Sequence, residues 1–316
     1  MTTTPHHTDD APDASQLVGR GRDLAALLVR LATARLVCLT GLPGVGRTRL
    51  AREVAGQVRR DVVWESAACY EPEMLPGVGA RLRHRFAGVR GPLLVLDDID
   101  HLGGAGTALV ASLLLDLPEL TVLVVAERPC HLRGESVMVL RPLAVRAAPG
   151  DDRPSEALQL LRAVLGDAAV DRDPEGAARL CRRFGGVPGP LLEAARAGTA
   201  AGADEVGPEQ RAAAARSYAR CSRVERLLWR RLAVFGDGFR REAAAEVCGG
   251  GRLPASEVPV VLDRIAPHVL IRDPETARYH VPPAQLAVAQ TELERSDEWW
   301  SVVLAHRYRA PTGAES

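Results

Sequence analysis

One segment limits the fold more than any other. The run Gly41-Leu42-Pro43-Gly44-Val45-Gly46-Arg47-Thr48 follows a short apolar stretch, Leu36-Val37-Cys38-Leu39-Thr40, and precedes a helical pattern from Arg49 to Arg59. A brief apolar run that stops at a glycine predicts a buried strand. Glycines at 41, 44 and 46 permit a turn that L side chains resist, and let backbone N–H groups face an anion. The following helix adds its positive end at the same place. Such a strand–turn–helix unit predicts a phosphate-binding loop at the edge of a parallel sheet.

The flanking pattern agrees. Val62–Ala67, Pro92–Leu96, Leu120–Val125 and Val137–Leu140 are further strand candidates, and Asp23–Leu31 and Ala108–Leu115 are helical. Strands alternating with helices predict an α/β unit whose parallel sheet is covered on both faces. After Pro149 the pattern turns helical, with Ser155–Leu165, Pro174–Phe184 and Pro190–Ala197. Small residues from Gly198 to Gly207 predict a linker. Beyond it come one long arginine-rich helical region, Arg211–Leu232, and helices at Arg241–Val247 and Glu257–Ile265. A hairpin is expected where Leu270–Ile271 and Tyr279–Val281 flank Asp273-Pro274-Glu275. Helices followed by a hairpin suggest a winged helix. The expected division is a disordered lead at 1–15, a nucleotide-binding domain at 16–148, a helical subdomain at 149–200, a linker at 201–210, a winged helix at 211–290 and a helical tail at 291–316.

Composition excludes several classes. Forty basic and forty acidic residues balance to a formal charge of zero, which argues against strong DNA binding by the chain as a whole. No apolar window is long enough for a membrane span, and the polar lead lacks a signal core, so a cytoplasmic location is expected. Six scattered cysteines form no CxxC pair and are expected to be reduced and mostly buried. His6 and His7 have no partner spaced to complete a metal site. Lysine and asparagine are both absent, so every basic residue is arginine.

That absence reaches the loop itself, where Arg47 occupies the position at which the phosphate-loop pattern asks for lysine. Arginine keeps the charge but is planar and bulkier, so nucleotide binding is expected to weaken and hydrolysis to suffer more. Thr48 is placed to put its hydroxyl on Mg²⁺. The run Leu93-Leu94-Val95-Leu96-Asp97-Asp98 would carry Asp97 to the sheet's C-terminal edge, to hold Mg²⁺ through water, and Asp98 would orient or polarise an attacking water. Arg128, in Ala126-Glu127-Arg128-Pro129, either senses a γ phosphate or pairs in solvent with Glu127. His101 is expected to cap or pack rather than to catalyse.

Together these motifs resemble the STAND class of P-loop NTPases, most closely the NB-ARC-type ATPase module of actinobacterial AfsR/SARP- or LuxR-like transcriptional regulators. Leu17-Val18-Gly19-Arg20-Gly21-Arg22-Asp23-Leu24 resembles the segment that lines that family's adenine pocket, and Gly186-Val187-Pro188 the motif whose proline touches the base. Ser217 to Cys248 resembles its winged helix. The resemblance implies ATP or ADP with Mg²⁺ held by Val18, Gly41, Gly44, Gly46, Arg47, Thr48, Asp97, Arg128 and Pro188. Three departures stand out: Arg47, the missing Thr-Ser before Arg128, and Gly189-Pro190 in place of an apolar pair. No effector domain of the kind that family carries is recognised.

The leading functional expectation is a nucleotide-binding switch with slow or absent hydrolysis, at most a weak Mg²⁺-dependent ATPase. Two alternatives remain: a winged-helix DNA-binding regulator using Arg220, Arg223, Arg226, Arg230 and Arg231, and a degenerate interaction scaffold that has lost nucleotide. A protein partner, or self-association through the winged helix and tail, is the expected partnership besides nucleotide. Trp299-Trp300 either packs on the winged helix or marks that surface.

Overall fold

The computed structural model describes residues 17–147, 153–196, 206–236 and 238–308. The expected disordered lead, with His6 and His7, lies outside them, as does the first half of the linker predicted at 201–210.

The first unit runs α1 (Gly21–Thr33), β1 (Leu36–Gly41), α2 (Arg47–Gln57), β2 (Val62–Ser66), α3 (Leu75–Phe86), β3 (Leu93–Asp97), α4 (Gly103–Asp116), β4 (Thr121–Val125) and β5 (Glu135–Leu140). Its five strands form one parallel sheet in the order β2-β3-β4-β1-β5. The period-2 geometry of a strand splits each apolar run between two cores. Leu36 and Cys38 of β1 join Leu94, Leu96, Val122 and Val124 beneath α3 and α4. Val37 and Leu39 join Leu93, Val95, Leu123 and Val125 beneath α1 and α2. Every one of these strand side chains is buried, so the uniformly apolar sequence reflects two covered faces.

Sequence patterning overlooks α3. Its buried Leu75, Val78, Leu82 and Phe86 follow helical spacing, but Pro76, Gly77 and Gly79 disguise the first turn. Pro76 is harmless there, because the earliest helical N–H groups have no intrahelical partner.

Next come α5 (Glu156–Leu165), α6 (Asp167–Arg172), α7 (Pro174–Arg183) and α8 (Pro188–Arg196), around Ala157, Leu161, Cys181, Phe184 and Leu191. The last unit contains α9 (Pro208–Arg220), α10 (Arg223–Arg231), α11 (Arg241–Cys248), α12 (Val258–Val269), β6 (Ile271–Arg272), β7 (Tyr279–His280), α13 (Pro283–Glu294) and α14 (Trp299–Arg307). β6 and β7 pair antiparallel. Fully buried Leu228, Trp229, Leu232, Leu262 and Ile265 anchor its core.

Two expectations change here. Arg211–Leu232 is not one helix: α9 stops at Arg220 and α10 restarts after Ser222, where Ser222 and Glu225 form a reciprocal capping box. The predicted linker at 201–210 also overruns structure, since α9 begins at Pro208. The tryptophan pair divides: Trp299 packs on the last core, whereas Trp300 is 72% exposed.

Candidate functional site

The phosphate-loop segment sits where β1 ends and α2 begins. Gly41, Gly44 and Gly46 all take positive φ, 147°, 77° and 99°. At Gly41 a side chain is excluded by contact as well as by conformation, since a Cβ would stand 2.6 Å from the Leu140 carbonyl oxygen. The loop is braced from behind by Arg20, which is 6% exposed and donates to the Val45 carbonyl at 2.9 Å and the Arg141 carbonyl at 2.6 Å. Arg20 is the functional neighbour that sequence reasoning passed over for Val18, although it stands in the same quoted segment. Val18 itself is half-buried.

In front of the loop lies the start of α8. The Gly189 N–H donates to the Gly44 carbonyl at 2.8 Å, and a Cβ on Gly44 would meet the Pro190 ring at 3.0 Å. The Gly189-Pro190 pair thus permits a close backbone approach that a larger residue at 189 would block. Pro188, the expected base contact, is half-buried as the first residue of α8. A cavity of about 230 Å³ opens at this junction, lined by Pro43, Gly44, Pro190, Arg216 and Gln285 among others; neither Val18 nor Pro188 lines it.

Thr48, on the first turn of α2, donates its hydroxyl to Asp97 Oδ1 at 3.3 Å. The two predicted Mg²⁺ residues therefore converge from α2 and β3. A hydroxyl and a carboxylate form a hard-oxygen pair of the kind Mg²⁺ takes, so these residues fit the ion. Asp97 is 4% exposed, and burial, aided by the charge of Asp98, pushes its carboxyl above the usual range. A bound cation would reverse that shift. Asp98 is exposed and left-handed, at φ 60°, directly after the strand.

Arg47 fits less simply. Its Nη1 donates to the Gly41 carbonyl at 2.5 Å and to the Ala126 carbonyl at 3.1 Å, so the guanidinium bridges the ends of β1 and β4. Both bonds use Nη1, which ties that end of the guanidinium to the sheet, while the side chain keeps further N–H donors for a phosphate.

Arg128 corrects the solvated pairing with Glu127 raised for it. It neither stands free at the sheet edge nor pairs with Glu127. Its two terminal nitrogens donate to Glu225 Oε2 on α10, each at 3.2 Å, and Nη2 reaches Cys221 Sγ at 3.0 Å. Glu127 turns to α9, accepting from the Ser217 hydroxyl at 2.7 Å and pairing with Arg220 at 3.2 Å. Burial alone would raise the Glu225 carboxyl, but the Ser222 backbone N–H and Arg128 outweigh it and leave it below its usual range. His268 on α12 lies within the same field, 4% exposed and with Nε2 unpaired. Asp100 fixes the strand exit, accepting the Glu127 N–H at 2.9 Å. His101 does not cap the next helix: its ring nitrogens lie 3.1 and 2.8 Å from the Asp98 and Tyr70 carbonyls.

Comparison with known proteins matches this geometry. The model of the ATPase family associated with various cellular activities (AAA) matches residues 37–128. The uncharacterized protein Rv0894 of Mycobacterium tuberculosis is 30% identical over 278 residues, covering 74% of this chain and 69% of that protein. A candidate HTH-type transcriptional regulator of the same organism, Rv0890c, is 29% identical over 266 residues, which span 71% of this chain but 29% of the regulator. Among solved structures, the Walker-type ATPase PABY2304 of Pyrococcus abyssi superposes with a TM-score of 0.52 at 14% identity, covering 86% of this chain and 95% of its own. With a glycine loop, an acidic strand end and a five-stranded parallel sheet in one arrangement, the chain carries an AAA-type P-loop ATPase domain and belongs to the family of the mycobacterial protein Rv0894.

Proposed function

We propose that the chain is an ATP/ADP-binding regulatory switch of the STAND type, with slow or absent hydrolysis. One observation carries the proposal: Glu127 and Arg128, the residues that leave β4 at the phosphate edge, are both committed to α9 and α10 of the C-terminal unit. Whatever draws Arg128 toward a phosphate takes it from Glu225. A ligand that binds two arrangements unequally shifts the balance between them, and here the competition for one guanidinium supplies the inequality.

The roles of the chain's own residues follow. The backbone of Gly41, Gly44 and Gly46 cradles phosphate, with Arg47 as its cation; Thr48 and Asp97 hold Mg²⁺. Bound Mg²⁺-nucleotide supplies the negative charge that competes for Arg47 and Arg128. Val18 and Pro188 flank the base, and Asp98 is the residue available to orient water. Slow turnover is supported by the backbone commitments of Arg47 and the helix commitments of Arg128. The domains are a nucleotide-binding unit at 16–148, a helical subdomain at 149–200 and a winged helix at 211–290, with β6 and β7 as the wing.

Transcriptional control is the biological setting, supported by the name of the relative Rv0890c. In that setting this chain acts through a protein partner or a second copy rather than by gripping DNA. Of the five arginines considered for DNA, Arg220 pairs with Glu127, and Arg230 and Arg231 both pair with Glu298. Among the described residues no helix is long and apolar enough to cross a membrane.

Calorimetric titration of the full chain with ADP and ATP, with and without Mg²⁺, tests the proposal. Expected is binding of both, with hydrogen exchange in α9 and α10 differing between the two complexes. Absence of heat and of any thermal shift at millimolar nucleotide would replace the switch by the non-binding scaffold.

A further inference from the structure

A second cluster lies under the loop that carries Arg128 and has no part in nucleotide chemistry. Cys38 is on β1, its side chain fully buried. Cys130 follows Arg128 by two residues in the connection to β5, and Glu135 opens β5. One sulfur from each cysteine and a carboxylate oxygen of Glu135 all lie within 4.8 Å of one another. We propose that Cys38, Cys130 and Glu135 form a binding site for a thiophilic divalent cation of the Zn²⁺ class, which clamps the Arg128 loop to the strand feeding the phosphate loop.

The donor set selects the ion. Two sulfurs and one carboxylate suit Zn²⁺, whereas an all-oxygen shell suits Mg²⁺. Tetrahedral coordination with bonds of about 2.0–2.3 Å sets ligand atoms roughly 3.3–3.8 Å apart, a modest contraction of the observed cluster. Three protein ligands leave a fourth position for water. His131 is exposed and does not supply it.

The carboxylate is already aimed. Glu135 Oε1 accepts the Cys130 N–H at 2.8 Å and Oε2 accepts the Leu132 N–H at 3.3 Å. Both partners are backbone groups, so the negative charge has no salt bridge among the described residues and stands beside two thiols. Such outer contacts orient metal ligands in known sites. An entry path exists, because Cys130 is half-buried and His131, Arg133 and Gly134 are exposed. Binding forms two Zn–S bonds and one Zn–O bond, and the two thiol protons pass to solvent.

The mechanical consequence follows from position. Cys38 precedes Gly41 by three residues, and its thiol faces the Arg128 carbonyl at 3.7 Å. An ion here ties β1, β5 and the Arg128 loop together, and so stiffens the element that chooses between Glu225 and phosphate. Zinc uptake itself depends on none of the nucleotide-binding residues, so it is tested separately.

The full-length protein, reduced, is loaded with Zn²⁺, desalted and assayed for bound metal by mass spectrometry of the element, with Co²⁺ as a spectroscopic substitute. Wild type is expected to retain one equivalent more than Cys130→Ser, to show thiolate-to-cobalt charge-transfer absorption, and to gain thermal stability with zinc. Glu135→Gln should bind at least about tenfold more weakly. Cys69→Ser, which alters an exposed cysteine outside the cluster, should match wild type. Cys130→Ser alters a half-buried position, and its melting curve without zinc shows that it folds. Three results overturn the site: no retained zinc, equal retention in Cys130→Ser, or a Cys38–Cys130 disulfide instead, seen after reductant is removed as a peptide linking the two cysteines and an intact mass two hydrogens lower in wild type but not in Cys130→Ser.

Discussion

Arg128→Ala removes the guanidinium that joins the end of β4 to α10. The charges are 3.2 Å apart, and the side chains of Arg128 and Glu225 are 29% and 10% exposed. At an effective dielectric of about 20 the gross attraction is about 5 kcal/mol. Desolvation and side-chain ordering offset much of it. Truncating one partner costs under about 1 kcal/mol at an exposed pair and about 3–5 kcal/mol at a buried one. This partly covered pair falls between, at about 2 kcal/mol, which is roughly a 30-fold shift in the equilibrium between docked and undocked helices. Glu225→Gln is the complementary perturbation. Its amide oxygen still accepts the Ser222 N–H, so the capping box survives while the charge facing Arg128 is lost. Hydrogen exchange of peptides from α9 and α10 reads the docking free energy directly. Each single substitution should speed exchange by roughly 30-fold, and the double mutant should add little beyond either, because both remove the same interaction. Unchanged exchange in Arg128→Ala, or additive effects in the double mutant, would refute the latch.

Arg47→Lys should raise nucleotide affinity by about tenfold, since a slim ammonium can turn its point charge to the phosphates, whereas the planar guanidinium is oriented by two carbonyl bonds at Nη1; calorimetry with ADP measures it, and equal or weaker binding means the pocket is shaped around arginine. Gly186→Ala should lower stability by at least about 2 kcal/mol in chemical denaturation, because φ is +72° and the new Cβ would fall 1.9 Å from the Leu143 carbonyl oxygen. An unchanged unfolding midpoint would show that this backbone can move. Burial, reinforced by Arg128 and Arg47 against the opposing Glu225, pulls the His268 pKa down to about 3. The unfolded imidazole titrates near 6.5, so the unfolded chain takes up the proton first as pH falls. Stability from neutral His268 is therefore full above pH 6.5 and declines toward pH 3, by about 2 kcal/mol at pH 5. Unfolding free energies from denaturant titration at pH 7.5 and 5 should converge by that amount in His268→Leu relative to wild type, and an identical pH dependence would remove His268 from the acid response.

Much of the nucleotide unit was legible because its signals are local. Buried parallel strands need continuous apolar runs, a phosphate turn needs glycine where φ is positive, and an acidic residue just past a strand lands at the sheet edge. Those constraints act over a few residues, so Gly41 to Thr48 and Leu93 to Asp98 could be placed from order alone. The break between α9 and α10 was equally readable, since Ser222 and Glu225 have capping-box spacing, but the arginine-rich composition masked it. What sequence could not decide was partnership. Arg128 and Glu225 are 97 residues apart, Arg20 reaches Val45 and Arg141, and Cys38 meets Cys130 beneath a loop. A guanidinium bonds any carbonyl or carboxylate within reach, so its identity leaves its partner open. Packing of the C-terminal helices onto the sheet edge makes that choice, and with it gives Arg128, which sequence left between a phosphate and Glu127, a partner on α10.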